Sequence, residues 1–254
     1  MIFVTALFFP ERESGYRKAD EYFRLGRFLV EVGVPLCIYT SPSTECRIRE
    51  SWAGIDFCHV ELRTDVEVEE HWKRDDVILP QTRSLEKDTA HYLCVQLSKL
   101  KFLAHAATRT THLAWIDYGI FHMIKEVANA QNNLRAIARI LPQLCHSKIL
   151  TPCGRPYPVD VWNATCWKFL GSVLFGGSQA FQDAYRRQTE LVLENLPNLT
   201  WEINYWSLMD THFLGYDSNH NDTILSTALK VLRDKDTRDM EENITSDPSL
   251  ASSF

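Results

Sequence analysis

Short apolar runs alternate with longer stretches whose apolar residues recur at helical spacing, from the first residue almost to the last. Ile2 to Phe8 is a run of strand character. Lys18 to Val32 carries Tyr22, Leu25, Phe28, Leu29 and Val32 at intervals of three and four, which mark one buried helix face. Val34 to Thr40 is a second strand. Another apolar piece, Ile55 to Leu62, follows the polar segment Ser41 to Glu50, and the charged stretch Arg63 to Asp76 reads as surface. Leu85 to Thr108 is the longest helical pattern, with Leu93, Leu97, Leu100 and Ala104 on one face and Lys99 and Lys101 turned elsewhere. It feeds His112-Leu-Ala-Trp-Ile-Asp117, a buried strand that ends in a carboxylate and a glycine turn.

The second half continues the alternation. Asn132 to Leu144 reads as a helix, Lys148 to Thr151 as a short strand, and Thr165 to Phe175 as a strand or strand pair ending at Gly176-Gly177. Ser178 to Leu196 is helical, Thr200 to Asp210 is an aromatic helix, and Asp222 to Arg233 is a final helix after the segment 212–221. Such alternation builds parallel βαβ units. It predicts an α/β chain with a Rossmann-like, mostly parallel sheet flanked by helices, one domain over residues 1–233 and a polar tail over 234–254.

Composition narrows the function classes. At 254 residues and 45% hydrophobic content the chain can bury one large core. A net charge of −6 provides no broad basic field for a phosphate backbone, so nucleic acid is not an expected partner. Seven cysteines, odd in number and without a CxxC pair, argue against a disulfide framework and a structural zinc site. Cys37, Cys58, Cys94 and Cys166 lie in apolar runs and read as core fillers. Met1 to Phe9 has no basic flank and stops at Pro10-Glu-Arg-Glu, which makes it too short for a membrane span and poor as a secretion signal. A cytoplasmic protein without a transmembrane segment is expected, in a host cytoplasm if the source is viral.

Ligands of open α/β sheets bind beyond the carboxyl ends of the strands, which makes Asp117 the first candidate for chemistry. An aspartate there also serves simply to hold turn amides. Gly176-Gly177 would let a backbone approach a flat ligand closely, or would just turn the chain. Glu202 is either a reactive carboxylate or a first-turn acid behind a Thr200 N-cap. His122, His212 and His220 offer imidazoles that could complete a divalent-metal site begun by Asp117. Lys99 and Lys101, with Arg12 and Arg17 near the first strand, could hold a diphosphate or could be solvated faces. Trp115, Trp167, Trp201, Tyr205 and Trp206 are core candidates, of which one or two could stack on a sugar.

On Gly15-Tyr-Arg-Lys-Ala-Asp-Glu-Tyr22, Leu97-Ser-Lys99, Trp115-Ile-Asp-Tyr-Gly-Ile-Phe-His122, Phe175-Gly-Gly177, Trp201-Glu-Ile-Asn204 and Asp217-Ser-Asn-His-Asn221, the chain resembles the GT-A glycosyltransferases and, more closely, the HtrL/YibB-like family. The resemblance spans most of the chain, and its Trp-Ile-Asp-x-Gly-Ile and Trp-Glu-x-Asn segments are the most specific. It implies a GT-A-like fold and a nucleotide-sugar donor, a UDP-sugar favoured. It also implies a glycan, glycoprotein or glycolipid acceptor and a divalent metal, manganese by preference. Under it Asp117 is a catalytic and metal-binding carboxylate, His220 a second metal ligand, and Glu202 the base of an inverting reaction. Thr5, Arg17, Lys99, Asp117, Gly176 and Gly177 bind the donor. One departure stands out: Gly119 occupies the place of the second acid of the DxD metal motif, and one carboxylate makes a poorer metal site. A non-catalytic sugar-nucleotide or glycan-binding protein is therefore the alternative. A nucleotidyltransferase is less favoured, because no glycine-rich basic loop follows the first strand.

Overall fold

β-Branched and aromatic residues concentrate in the short runs, and these form seven strands of one sheet. The computed structural model describes residues 1–9, 19–69, 75–143, 147–154, 160–217 and 223–234. The strands are β1 (Ile2–Leu7), β2 (Leu36–Thr40), β3 (Val60–Arg63), β4 (His112–Ile116), β5 (Ile149–Cys153), β6 (Val173–Gly177) and β7 (Phe213–Asp217). Their order across the sheet is β3-β2-β1-β4-β6-β5-β7. Six share one direction, and β6 alone runs against its neighbours β4 and β5. The result is the expected mixed, mostly parallel α/β sheet flanked by helices. Strand order reverses between β1 and β4, so a crevice opens at their carboxyl ends.

Side chains alternate across the sheet, and the alternation sorts the core into two layers. Phe3, Ile38, Ala114, Ile116 and Phe175 face one cluster, built with α1 (Ala19–Val30), α2 (Pro42–Ser51), α5 (Val127–Ile140) and the helical residues 224–234. Val4, Tyr39, Leu113, Trp115 and Leu174 face the other, built with α3 (Ala90–Leu97), α4 (Lys99–Ala106), α6 (Ser178–Asn195) and α7 (Glu202–Leu208).

The long pattern expected as one helix over 85–108 is two. Thr89 caps α3 by accepting the Tyr92 amide at 3.2 Å, and the chain breaks at Ser98, where ψ is −5°. The Ser98 hydroxyl donates to the Cys94 carbonyl at 2.8 Å and accepts the Glu69 amide at 3.1 Å. This local competition for backbone groups separates the two helices, and the first residue of α4, Lys99, is buried.

Other boundaries moved for identifiable reasons. The apolar piece over 55–62 yields only β3, at its end. The stretch over 63–76 is not all surface, since Val68 and Glu69 are buried. Between β5 and β6 the described residues hold no helix, and a strand that returns without a crossover helix runs antiparallel. Within 165–175 only the last residues pair as β6, and within 212–221 the chain forms β7. Cys58 is exposed, whereas Cys37, Cys94 and Cys166 are buried core residues as expected. All but residue 234 of the polar tail lie outside the described residues. No helix among those residues is long and apolar enough to cross a membrane.

Two outcomes test this packing. A methyl group at Gly26 on α1 would overlap the Tyr118 ring, so Gly26→Ala should cost about 1–3 kcal/mol of stability, measured as a lower urea midpoint. A thiol reagent at mildly alkaline pH should modify Cys46 and leave Cys37 unmodified, because burial and the nearby Glu61 push the Cys37 thiol up to about 11.

Candidate functional site

β4 ends where its backbone turns. The Asp117 amide donates to the Ser172 carbonyl at 2.9 Å, and the Asp117 carbonyl accepts the Ile120 amide at 2.9 Å, which starts a single 3-10 turn over Ile120–His122. Residues two apart on a strand share a face. The Trp115 indole N–H therefore reaches Oδ1 of Asp117 at 2.7 Å, which gives the Trp-Ile-Asp segment a physical meaning.

Lys99 arrives from α4 beneath this carboxylate. It is 2% exposed, and its ammonium meets three oxygens: the Gly171 carbonyl at 2.9 Å, Oε1 of Glu202 at 3.0 Å and Oδ1 of Asp117 at 3.1 Å. The nitrogen also stands 5.7 Å from the centre of the Trp115 ring, within cation–π range. Burial by itself would depress this lysine. The charges of Asp117 and Glu202 outweigh it and hold Lys99 above its ordinary value, as a fixed cation.

Gly171 is required at this point, because a Cβ there would lie 2.6 Å from Oε1 of Glu202 and 3.1 Å from the lysine nitrogen. Glu202 opens α7. Its N-cap is Trp201, not the expected Thr200, whose hydroxyl instead donates to the Val161 carbonyl at 2.7 Å. Asn204, the other polar residue of Trp-Glu-x-Asn, is fully buried and ties the loop before β6 to α7. Its Oδ1 accepts the Cys166 amide at 2.7 Å, and its Nδ2 donates to the carbonyls of Val161 and Ala164 at 2.6 and 2.9 Å.

Above Lys99 and Asp117 a cavity of about 430 Å³ opens at the carboxyl ends of β1 and β4. Aromatic rings dominate its wall: Tyr22, Tyr92, Trp115, Tyr118 and Trp167. Trp167 is half exposed. Burial and the charges of Glu202 and Asp117 raise the Tyr92 phenol far above its usual value, so it stays neutral. Lys87 also lines the cavity, with its nitrogen 5.3 Å from the centre of the Tyr92 ring. His122 lines it as well. Its Nδ1 donates to the Gly119 carbonyl at 2.6 Å.

The sequence-predicted residues divide cleanly. Asp117, Lys99 and Glu202 come together from positions far apart in the chain. Lys99 was expected on a face turned away from the apolar stripe, and it is buried instead, its ammonium hydrogen-bonded to Glu202 and the Gly171 carbonyl and paired with Asp117. Glu202 is 6% exposed, holds the lysine and is not among the residues that line the cavity. Gly176 and Gly177 are not in the site. Antiparallel pairing sets Gly177 against His112 and Val173 against Ile116, which carries the glycine pair to the opposite edge of the sheet from Asp117. There Gly176 makes room for the Phe181 ring. Thr5 is fully buried on the face opposite Trp115 and does not line the cavity. His212 precedes β7 at that far edge too, because Phe213 pairs in parallel with Ile149. Lys101 pairs with Glu69 at 3.3 Å. Arg12, Arg17 and His220 lie outside the described residues. Sequence reasoning missed Gly171 and Lys87. A glycine ahead of an apolar strand was the available signal for the first, and nothing local marked the second.

Around Asp117 the described residues offer no donor set that fits a divalent metal, and His220 lies outside them. Among the described residues no group of three or more His, Cys, Asp or Glu side chains assembles. Oδ1 of Asp117 already accepts the Trp115 indole N–H and pairs with Lys99, whose ammonium lies between the two carboxylates.

Removing one partner of a buried ion pair strands the other charge. Glu202→Ala should therefore cost about 3–5 kcal/mol by thermal or urea unfolding. Because Lys99 is held above its ordinary value of 10.5, its contribution is complete below that pH and is lost as pH rises through the folded value. Lys99→Met should accordingly show a shallower alkaline loss of stability than the native chain, measured by melting temperature against pH.

No family model matches the sequence, and no curated protein matches it. Among solved structures, the chain is similar to mouse xyloside xylosyltransferase 1 in its apo form, at 7% identity and a TM-score of 0.44, over 85% of this chain and 84% of that one. It is also similar to 4-diphosphocytidyl-2C-methyl-D-erythritol synthase from Anaerococcus prevotii DSM 20548, at 11% identity and a TM-score of 0.41, over 87% of this chain and 89% of that one. At such identities and scores these likenesses say nothing of chemistry, which rests on the side chains of the site.

Proposed function

We propose that the protein is a glycosyltransferase that moves a sugar from a nucleoside-diphosphate donor, a UDP-sugar by preference, to a glycan or glycosylated acceptor. The observation that carries this reading is the cavity at the switch point, with one carboxylate, Asp117, in its wall and a buried cation beneath it. The resemblance to the HtrL/YibB-like family supports it. In an inverting transfer the acceptor hydroxyl attacks the anomeric carbon, its proton passes to a carboxylate, and the bond to the diphosphate breaks with its electron pair. Asp117 is the acid that lines the cavity among the described residues, and its Oδ2 carries no hydrogen bond there. It takes the role first assigned to Glu202. Lys87 takes a phosphate-binding role, since it lines the cavity beside Tyr92. The aromatic wall offers flat surfaces to a base or sugar ring.

One observation favours a second reading, a sugar-nucleotide-binding protein without turnover. Oδ1 of Asp117 is already held by the Lys99 ammonium and the Trp115 indole, so half of this carboxylate is committed to structure.

A panel of UDP-, GDP- and CMP-sugars separates the two. The transferase reading expects one donor to raise the melting temperature and to release its nucleotide above the buffer rate. Asp117→Asn should lower that rate by roughly a hundredfold or more while leaving the fold intact; an equally active variant sinks the assignment. Tight binding with no nucleotide release selects the second reading. Lys87→Ala should weaken UDP binding about tenfold, by calorimetry, in either case.

A further inference from the structure

Three oxygens on three separate elements converge on one buried point: Oδ1 of Asp117 after β4, Oε1 of Glu202 at the start of α7 and the Gly171 carbonyl before β6. Two of them belong to carboxylates. Convergence of this kind marks the position of a cation. In this chain the cation is covalent, the ammonium of Lys99, at 2.9, 3.0 and 3.1 Å. Two of these are hydrogen bonds, to the Gly171 carbonyl and Glu202, and the third is an ion pair with Asp117. A divalent ion would need the same oxygens at about 2.0–2.6 Å, in the space that the nitrogen fills and against its charge. Oδ1 of Asp117 is further committed to the Trp115 indole. The lysine is also locked from behind, because the break at Ser98 aims it inward and Gly171 leaves it room.

We infer that Lys99 is a built-in replacement for a divalent ion: the native protein takes no such ion at the Asp117–Glu202–Gly171 oxygens, and removing the lysine side chain turns those oxygens into a divalent site. For function, a site whose cation at these oxygens is a tethered ammonium is charged without regard to metal supply. That consequence rests on the transferase reading, whereas the cation position does not.

The test is a Mn²⁺ titration of the full chain after chelator treatment, followed by the loss of the free-ion electron paramagnetic resonance signal and by melting temperature. The native chain should leave the free-ion signal unchanged. Lys99→Ala opens the position to water and metal. It should bind Mn²⁺ and gain roughly 5–10 °C at a hundredfold excess over its Kd, and the added change Glu202→Gln should abolish that gain. Lys99→Met fills the space without the charge and should show no gain, so it serves as the folded control if the alanine variant does not fold. Native binding of Mn²⁺ that Asp117→Asn removes overturns the inference. So does a folded Lys99→Ala chain that ignores Mn²⁺, or a Lys99→Met chain that binds it. UDP affinity of the native chain should agree within twofold in chelator and in Mn²⁺. If UDP binds in neither, the transferase reading falls, and the metal titrations still decide the cation position.

Discussion

A lysine 2% exposed survives as an ammonium only if its lost hydration is replaced, and Asp117, Glu202 and the Gly171 carbonyl replace it. The rest of the site is arranged around that requirement. Ser98 breaks the helix so that Lys99 points inward. Gly171 has no Cβ, since one would sit against both Glu202 and the lysine nitrogen. Asn204 clamps the preceding loop to α7, which fixes the position of Glu202 relative to that glycine. Each of these residues is polar or small for a reason that lies in a different element.

Sheet topology decides where this cluster opens to solvent. The reversal of strand order between β1 and β4 leaves a crevice at their carboxyl ends, and the antiparallel β6 brings the start of its strand, not its end, to the same edge. The Asp117 amide donates to Ser172, so the turn after β4 and the entry to β6 are one hydrogen-bonded unit. Five aromatic rings then line the cavity above the buried lysine. The acid at the strand end is thereby partly exposed while its cation is not.

Much of this was legible from local pattern. The runs at Ile2–Leu7, Leu36–Thr40 and His112–Ile116 are strands because unbroken apolar segments of that length are buried on both faces of a parallel sheet. Asp117 was legible because a charged residue directly after such a run must lie at a sheet edge. Lys99 was misread in orientation, since its place in the helical pattern of 85–108 assumes a straight helix and Ser98 bends it. The glycine pair at 176–177 was misread in place, since a strand pattern carries no information on direction. Glu202 was identified as a first-turn acid near the site, and its partner was not, because 103 residues separate it from Lys99.

The sequence by itself determined most element types, though not the helix over Pro42–Ser51 or the strand over Phe213–Asp217, together with the α/β class and the carboxylate at the end of β4. Periodicity and burial are local properties, so each segment reports its own. Tertiary structure alone decided that β6 runs backward, that Thr5 and the glycine pair lie away from Asp117, and that Lys99 closes a cage between two acids. Those are facts of pairing direction and of contacts between distant segments. They follow from which strand finds which partner, a competition among all the apolar faces of the chain at once.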